Sequence, residues 1–424
     1  MVLLATGMPI AFALGLVSIG ALVLTSGWGI MEIVGEVFFG GLASLGLVSI
    51  PMFILMGAAI ASSPAGRDLY IALDRWLTRV PGGLVLSNLG ACAIFSALSG
   101  SSPATCAAIG KMGIPEMTQR GYPKDIAAGS IAAGGTLGIL IPPSITMIVY
   151  GIATETSIGR LFLAGVVPGA MLTGIFMAWT LFACHIKGYR FQVGAGRFSL
   201  AEKLEALPRV LPFLAVVIGI LFVLYGGVAT PSEAAGAGAL FCILLVVVIY
   251  RMWQVAPLAR TFRDSLKESV MIMMIIGASE LFSFALSSMF VTQSIAIWIA
   301  DLEVNRWVVM AIINVFLLIA GFFLPPVAVI LMTAPILLPI ILDAGFDPYW
   351  FAVILTINME IGLITPPVGL NLFVINGIAP DIPLQTILKG SLPYVLCMVL
   401  AIFILCLFPG LVTWLPNLVM GQPL

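Results

Sequence analysis

The sequence predicts an all-α integral membrane protein with an inverted repeat, two re-entrant helical hairpins and two broken transmembrane helices. Three observations lead to this fold class: the composition, a repeated pattern of glycine and proline, and the distribution of basic residues. Of 424 residues, 61% are hydrophobic and 9% charged, whereas soluble domains carry about 25% charged residues. Apolar runs reach the ~20 residues that cross a bilayer. Lipid admits only helices and closed barrels, and these runs are too long and too continuous for barrel strands.

The second half of the chain repeats landmarks of the first half at an offset of 224 residues. Gly138 to Pro143 reads Gly-Ile-Leu-Ile-Pro-Pro, and Gly362 to Pro367 reads Gly-Leu-Ile-Thr-Pro-Pro. Because glycine and proline mark places where a helix bends, breaks or stops, the repeated feature is backbone architecture. Paired broken helices in two halves of an apolar chain are typical of a transporter with its binding site at the membrane midplane.

The apolar runs predict nine crossings and two hairpins. Crossings are expected near 3–27, 42–62, 122–151, 160–185, 209–228, 231–251, 267–288, 348–377 and 391–415. Two further apolar stretches, about 83–118 and 307–342, are interrupted by Ser99–Pro103 and by Gly321–Pro326 respectively. Each is long enough to enter the membrane, turn and leave on the same side, so we interpret both as re-entrant hairpins.

The basic residues support this count. With a cytoplasmic N-terminus, 16 of the 18 basic residues fall in the inside loops, and only Arg160 and Arg306 fall outside, as the positive-inside rule requires. The inside set is Arg67, Arg75, Arg79, Lys111, Arg120, Lys124, Lys187, Arg190, Arg197, Lys203, Arg209, Arg251, Arg260, Arg263, Lys267 and Lys389.

The same count divides the chain and fixes the symmetry of the repeat. We expect a first unit at 1–185, a cytoplasmic loop and linking helix at 186–230, and a second unit at 231–424. An odd number of crossings separates equivalent points, so the second unit is upside down. Apolar stripes along 64–80 and 255–266 beside basic residues further predict two helices lying in the cytoplasmic interface.

The breaks carry the chemistry that the sequence offers. A broken helix presents C=O groups, which suit a hard cation such as Na⁺, and N–H groups, which suit an anion. The first tip supplies Ser99, Ser101 and Ser102, and it should meet the Gly138–Pro143 break, which is flanked by Thr136, Ser144 and Thr146. The tip at Leu324–Pro326 should meet the Gly362–Pro367 break, which holds Thr365 and is accompanied by Asn358, Asn371 and Asn376. The alternative is that the Pro-Pro pairs only kink helices and the hydroxyls satisfy freed carbonyls.

Three carboxylates lie at apparent membrane depth, where an ionisable group is a functional candidate by default. Glu233 follows Thr230-Pro231-Ser232 and is expected to be a first-turn acid near the surface. Glu280 is expected to lie deeper, and Glu360 precedes the second break, where site support and a structural hydrogen bond remain equally open.

Enzyme signatures are absent from the sequence. His185 is the single histidine, and the sequence contains no HExxH, Walker-type or GxSxG motif. We therefore expect no enzyme and no nucleic acid partner, and any concentrative transport would draw on an ion gradient or on another subunit.

Four segments resemble the large membrane subunit of TRAP transporters, the tripartite ATP-independent periplasmic transporters. They are Ser-Gly-Ser-Ser-Pro-Ala-Thr at 99–105, Ile-Pro-Pro-Ser at 141–144, Ala-Thr-Pro-Ser-Glu-Ala-Ala at 229–235 and Thr-Pro-Pro-Val-Gly-Leu-Asn at 365–371. The resemblance covers essentially the whole chain. It implies an inner-membrane importer of small organic anions that is driven by about two Na⁺ ions and works by an elevator motion. It also implies a small membrane subunit of about four helices, a periplasmic substrate-binding protein and a periplasmic C-terminus.

The resemblance also implies a set of site residues. The expected Na⁺ ligands are Ser99, Gly100, Ser101, Gly138, Ile141 and Pro142 at the first site and Leu324, Pro325, Gly362, Thr365 and Pro366 at the second. The expected substrate contacts are Ser99, Ser101, Ser102, Ser144, Thr365 and Asn371. One departure is that Pro325-Pro326 stands where an acidic residue is expected in many members of the family.

Other readings remain open at this point. A stand-alone sodium–dicarboxylate-type symporter or an ion antiporter would share the broad architecture and need no binding protein. An ion channel suits two hairpins with opposite openings less well, and an intramembrane enzyme lacks a catalytic constellation.

Overall fold

The computed structural model describes residues 3, 6–77, 80, 82–187, 198–291, 293–294 and 304–421, and within them it is built of helices. Arg79, Arg190 and Arg197, which the charge pattern places inside, lie outside the described residues, as does the stretch 188–197 of the predicted linking loop. Six described helices are long and apolar enough to cross a membrane, or seven if the pair Trp28–Leu42 and Leu45–Ala61, bent by 56°, counts as one span. The predicted all-α membrane fold is confirmed.

The structure describes nine α-helices in the first part of the chain. They are α1 (Ile10–Ser26), α2 (Met31–Leu42), α3 (Ser49–Ala61), α4 (Ala65–Leu77), α5 (Gly83–Ser99), α6 (Ser102–Gln119), α7 (Lys124–Thr136), α8 (Ile145–Ala153) and α9 (Ile158–Ile186). Short 3-10 turns at Trp28–Ile30, Leu45–Val48 and Leu137–Ile139 join some of them. The predicted hairpin corresponds to α5 and α6, and the predicted broken helix to α7 and α8.

Ten more helices are described in the rest of the chain. They are α10 (Leu200–Glu205), α11 (Leu211–Tyr225), α12 (Pro231–Tyr250), α13 (Val255–Ser288), α14 (Arg306–Phe323), α15 (Pro326–Asp343), α16 (Pro348–Leu363), α17 (Leu370–Ile378), α18 (Leu384–Leu407) and α19 (Gly410–Met420). A 3-10 turn at Leu207–Arg209 precedes α11. The second hairpin consists of α14 and α15, and the second broken helix of α16 and α17.

The structure differs from the predicted helices in three places. Helix α2 was not predicted, because Gly35, Gly40, Gly41 and two glutamates dilute the hydropathy of this stretch. The predicted interfacial helix at 255–266 and the crossing at 267–288 are one continuous 34-residue helix, α13. The last crossing begins earlier than expected, at Leu384, and ends at Leu407 before the separate helix α19.

The two repeats interlock. Helix α8 of the first unit packs against α15, and α17 of the second unit packs against α6 and α7. Helix α7 crosses α18 so closely that a Cβ on Gly129 would lie 2.2 Å from the carbonyl carbon of Gly390. The hairpins and broken helices thus form one packed body.

The long helix α13 borders this body. It packs against α1, α2 and α3 on one side and contacts α15 on the other. Where it meets α15, the Ser279 hydroxyl donates a hydrogen bond to the Leu331 carbonyl. Helix α13 therefore places its side chains opposite the hairpin tips.

Candidate functional site

The first hairpin tip is packed against the first helix break. Helix α5 ends at Ser99, Gly100 turns the chain with a φ of +60°, and α6 begins at Ser102. A Cβ on Gly138, in the break, would lie 2.8 Å from the Ser101 carbonyl oxygen and 2.8 Å from the Ser102 nitrogen. The Ser102 hydroxyl donates to the Thr136 carbonyl at 3.2 Å. The structure therefore brings together the tip and the break that the sequence pairs.

Hydroxyl groups organise this first tip. The Ser99 and Thr105 hydroxyl oxygens lie 3.0 Å apart, and the Thr105 hydroxyl donates to the Ser101 carbonyl at 2.9 Å. Ser99 is 2% exposed. The Ser101 side chain caps none of the first-turn N–H groups of α6, so the positive end of this helix remains available to an anion.

Ser144 begins the second half of the first broken helix. Its hydroxyl donates to the Ile139 carbonyl and accepts from the Met147 N–H at 3.3 Å. It therefore satisfies backbone groups that the break sets free, which is the structural role that the alternative reading gave to such hydroxyls. A hydroxyl oxygen that donates one hydrogen bond still has acceptor capacity for a cation.

The second tip and the second break are joined through their backbones. A Cβ on Gly362 would lie 2.3 Å from the Gly321 carbonyl oxygen, so only glycine allows this approach. The Val368 N–H donates to the Phe322 carbonyl at 3.3 Å. The Thr365 hydroxyl donates to the Ile361 carbonyl at 2.6 Å, and in the first unit the Ser144 hydroxyl likewise donates to a carbonyl of its own break, that of Ile139.

The asparagines of the second unit serve contacts away from the tips. The Asn371 amide donates to the Ala132 carbonyl of α7 at 3.1 Å, and its Oδ1 is buried without a hydrogen-bond partner among the described residues. The Asn358 amide donates to Asn314 Oδ1 at 2.6 Å and so ties α16 to α14. Asn371 is therefore placed where it links the two units.

A cavity of about 190 Å³ lies between the two tips. Gly100, Ser101 and Ser102 line one side, and Pro325 and Pro326 line the other. The rest of the wall includes Ile145, Thr146, Leu363 and residues of α13. Of the predicted substrate contacts, Ser101 and Ser102 border this cavity, whereas Ser144, Thr365 and Asn371 are not among its described lining residues.

A second cavity, of about 490 Å³, lies on the other side of the first tip. Ser99 and Ser101 border it, together with Arg260, Asp264 and Glu268 of α13. Glu268 borders both cavities. The sequence analysis missed Glu268 because it ended the interfacial helix and began the crossing at this point. The i, i+4, i+8 spacing of the three charged residues on one helix face would have revealed the polar stripe.

The three membrane-depth acids have different environments. Glu233 closes a capping box with Thr230, whose N–H donates to its carboxylate at 2.8 Å, so the first-turn assignment is confirmed. Glu280 packs against α2, since a Cβ on Gly41 would lie 2.3 Å from Glu280 Cγ. Glu360 is fully buried, and neither of its carboxylate oxygens has a hydrogen-bond partner among the described residues.

Two helical hairpins whose tips face one cavity, set in an apolar chain with an internal repeat, define a membrane transporter of the inverted-repeat class. The model of the family "Tripartite ATP-independent periplasmic transporter, DctM component" matches residues 1–411. The chain belongs to this family, the large permease components of TRAP transporters, and is therefore a multi-pass membrane permease. The family predicted from the sequence is confirmed.

Individual proteins agree with the family assignment. The chain is 40% identical over 371 residues to the C4-dicarboxylate TRAP transporter large permease protein DctM of Pseudomonas aeruginosa, covering 88% of this chain and 86% of that protein. It is 34% identical to the isethionate TRAP transporter permease protein DctMQ of Oleidesulfovibrio alaskensis, covering 96% of this chain and 64% of that longer protein. The crystal structure of the Alcanivorax borkumensis YdaH transporter aligns with a TM-score of 0.65 at 16% identity, covering 95% of this chain and 91% of that one. This last likeness is one of fold.

Proposed function

We propose that the chain carries out Na⁺-coupled import of a small organic anion that a periplasmic binding protein delivers. The substrate class is a C4-dicarboxylate, a keto acid or an acidic sugar. The observation that carries the proposal is the pairing of each hairpin tip with a helix break, in register across the repeat, around one cavity. In a permease of this family, such paired discontinuities supply carbonyl ends for cations and N–H ends for an anion.

The first cation is assigned to the tip at Ser99–Ser101 and the break at Gly138, Ile141 and Pro142. The second is assigned to Leu324 and Pro325 of the tip and to Gly362, Thr365 and Pro366 of the break. Hydroxyl and carbonyl oxygens are the ligands that hard cations prefer, and the close backbone contacts at Gly138 and Gly362 hold each tip beside its break. The anion then lies in the cavity between the tips, with one acid group at the start of α6.

Transport by an elevator motion fits this placement. The tips and breaks belong to one interlocked body, and α13 packs on α1, α2 and α3 beside it. Movement of that body along α13 would carry cations and substrate together. The small four-helix membrane subunit would cover the apolar outer surface of α1, α2 and α13. The N-terminus of the large chain would be cytoplasmic and its C-terminus periplasmic.

The driving force depends on the charge of the substrate. A tenfold Na⁺ gradient supplies about 1.4 kcal/mol per ion. Two Na⁺ with a dianion move no net charge and support about hundredfold accumulation. Two Na⁺ with a monoanion move one positive charge, which adds about 2.3 kcal/mol at 100 mV. An inside-negative potential should therefore raise monoanion uptake and leave dianion uptake unchanged.

Proteoliposomes containing the chain and its small membrane subunit test the proposal. Uptake of labelled organic acids is measured under an inward Na⁺ gradient, with and without the cognate binding protein. We expect uptake to require both. Uptake that persists without the binding protein would replace the tripartite mechanism with a stand-alone symporter, and uptake indifferent to Na⁺ would remove both cation assignments.

A further inference from the structure

Glu268 occupies a distinctive position on α13. It borders the cavity between the two tips and also the larger cavity beyond the first tip. Its side chain is exposed, at a level of the helix where the flanking Ser265 and Ser269 are buried. Glu268 therefore borders both cavities, as Ser101 does.

None of the described residues neutralises the Glu268 carboxylate. Among the described residues, no hydrogen bond or ion pair to Glu268 is formed. Arg260 lies two turns earlier on the same helix, about 12 Å along its axis, and borders only the larger of these two cavities. Asp264, one turn away, adds negative charge to that same cavity.

The cavity between the tips has no cationic side chain among its described lining residues. Those residues include Gly100, Ser101, Ser102, Thr146 and apolar side chains, and Glu268 is the single charged group among them. Its positive potential comes from the start of α6, whose N–H groups the Ser101 side chain leaves uncapped. The cavity thus has one end suited to an anion and one end suited to a hydrogen-bond donor or a cation.

We infer that Glu268 is a specificity-determining residue that selects substrates with a single acid group and, at the other end, an O–H or N–H donor. This inference rests on the proposed function, because it assigns the substrate to the cavity between the tips. The acid group binds at the start of α6, and the donor group binds the Glu268 carboxylate. Among the proposed substrate classes, acidic sugars and other hydroxy monoacids are therefore preferred to dicarboxylates, whose second carboxylate would face a like charge.

Equilibrium binding to the purified complex of the chain with its small membrane subunit, at saturating Na⁺, tests this inference without transport. Four matched four-carbon probes separate charge from hydrogen bonding: butyrate, 3-hydroxybutyrate, succinate and malate. A hydrogen bond to a charged group changes affinity by about tenfold or more, so we expect 3-hydroxybutyrate to bind at least about tenfold more tightly than butyrate or succinate.

Three variants identify the group responsible. Glu268→Gln should remove the disadvantage of succinate and reduce the preference for 3-hydroxybutyrate by about tenfold, while Glu268→Asp should keep the wild-type order. Asp264→Asn is the matched control, since Asp264 lies one turn away on the same helix and borders only the larger of the two cavities. It should leave the order of the four probes unchanged.

Several results would overturn the inference. One is a wild type that binds succinate more tightly than 3-hydroxybutyrate, and another is a wild type that does not bind 3-hydroxybutyrate. The third is a Glu268→Gln variant whose affinity ratios among the four probes equal those of the wild type. A Glu268→Gln variant that changes only the Na⁺ affinity would assign the residue to cation recruitment instead. A failed Na⁺ or binding-protein requirement in the uptake assay would overturn the proposed function and still leave these binding ratios measurable.

Discussion

The two tip–break pairs share a backbone design and differ in their surroundings. Pro142 and Pro143 of the first break are buried, whereas Pro366 and Pro367 of the second are exposed. In both breaks the Pro-Pro peptide bond is cis. The first break is therefore enclosed by neighbouring helices, whereas the second is open.

The side chains of the two tips differ even more. In the first tip the Ser99 and Thr105 hydroxyls contact each other, and the Ser102 hydroxyl bonds the Thr136 carbonyl. At the offset of 224 residues, Phe323, Pro326 and Val329 stand in the places of these three hydroxyl residues. The proposed first cation site can therefore use side-chain oxygens, whereas the proposed second site depends on backbone carbonyls and on Thr365. If both proposed sites bind a cation, the second does so through backbone carbonyls and with fewer hydroxyl ligands.

The largest effect is expected where the two pairs are alike. Gly138→Ala and Gly362→Ala would each push a tip away from its break, because the added Cβ would lie within 2.8 Å and 2.3 Å of opposing backbone oxygens. Misplacement of a binding group by about 1 Å can cost about a hundredfold in rate, so uptake should fall by about that factor in both variants.

Gly174→Ala is the control for these variants, since a Cβ there would meet nothing within 4 Å. Uptake is compared among complexes recovered in a monodisperse state. If one of the two site variants transported normally, the shared backbone design would not explain both sites.

The next effect should separate the two sites. Ser99→Ala combined with Ser101→Ala removes two hydroxyl oxygens from the first site and leaves the second site intact. Each hydroxyl contributes about 1 kcal/mol, so the loss of two should raise the Na⁺ concentration for half-maximal uptake by about thirtyfold.

Ser18→Ala is the matched control for the serine pair. Ser18 is also buried, and its hydroxyl bonds the Leu14 carbonyl within α1 at 2.7 Å, remote from both tips. An unchanged Na⁺ requirement in the Ser99→Ala, Ser101→Ala variant would show that carbonyls alone hold the first cation too, and the contrast between the sites would disappear.

The backbone of the site could be predicted from sequence because it depends on residue types with strong local rules. Glycine is needed at Gly138 and Gly362, where chains approach closely, and at Gly100, where φ is positive. Proline follows where helices cannot continue. These positions, and the hairpins and broken helices around them, could therefore be predicted from the sequence alone.

The walls of the cavity could not be predicted in the same way. Glu268 reaches the first tip only because α13 is continuous and passes beside it. Asn371 binds the Ala132 carbonyl across 239 positions in the chain, and no local pattern indicates that pairing. Tertiary packing determines which distant segments come together around the cavity, whereas the local sequence determines where the helices break.

The smallest effect is expected at the second site. Thr365→Val removes one hydroxyl, which already donates to the Ile361 carbonyl, and leaves the carbonyl ligands in place. A single hydrogen-bonding group contributes about 1 kcal/mol, so the Na⁺ requirement should rise only about fivefold, and Thr365→Ser should restore it. A rise as large as that of the serine pair would mean that the second cation depends on the Thr365 side chain. In that case both sites would depend on side-chain hydroxyl ligands, and they would differ only in how many hydroxyls each contains.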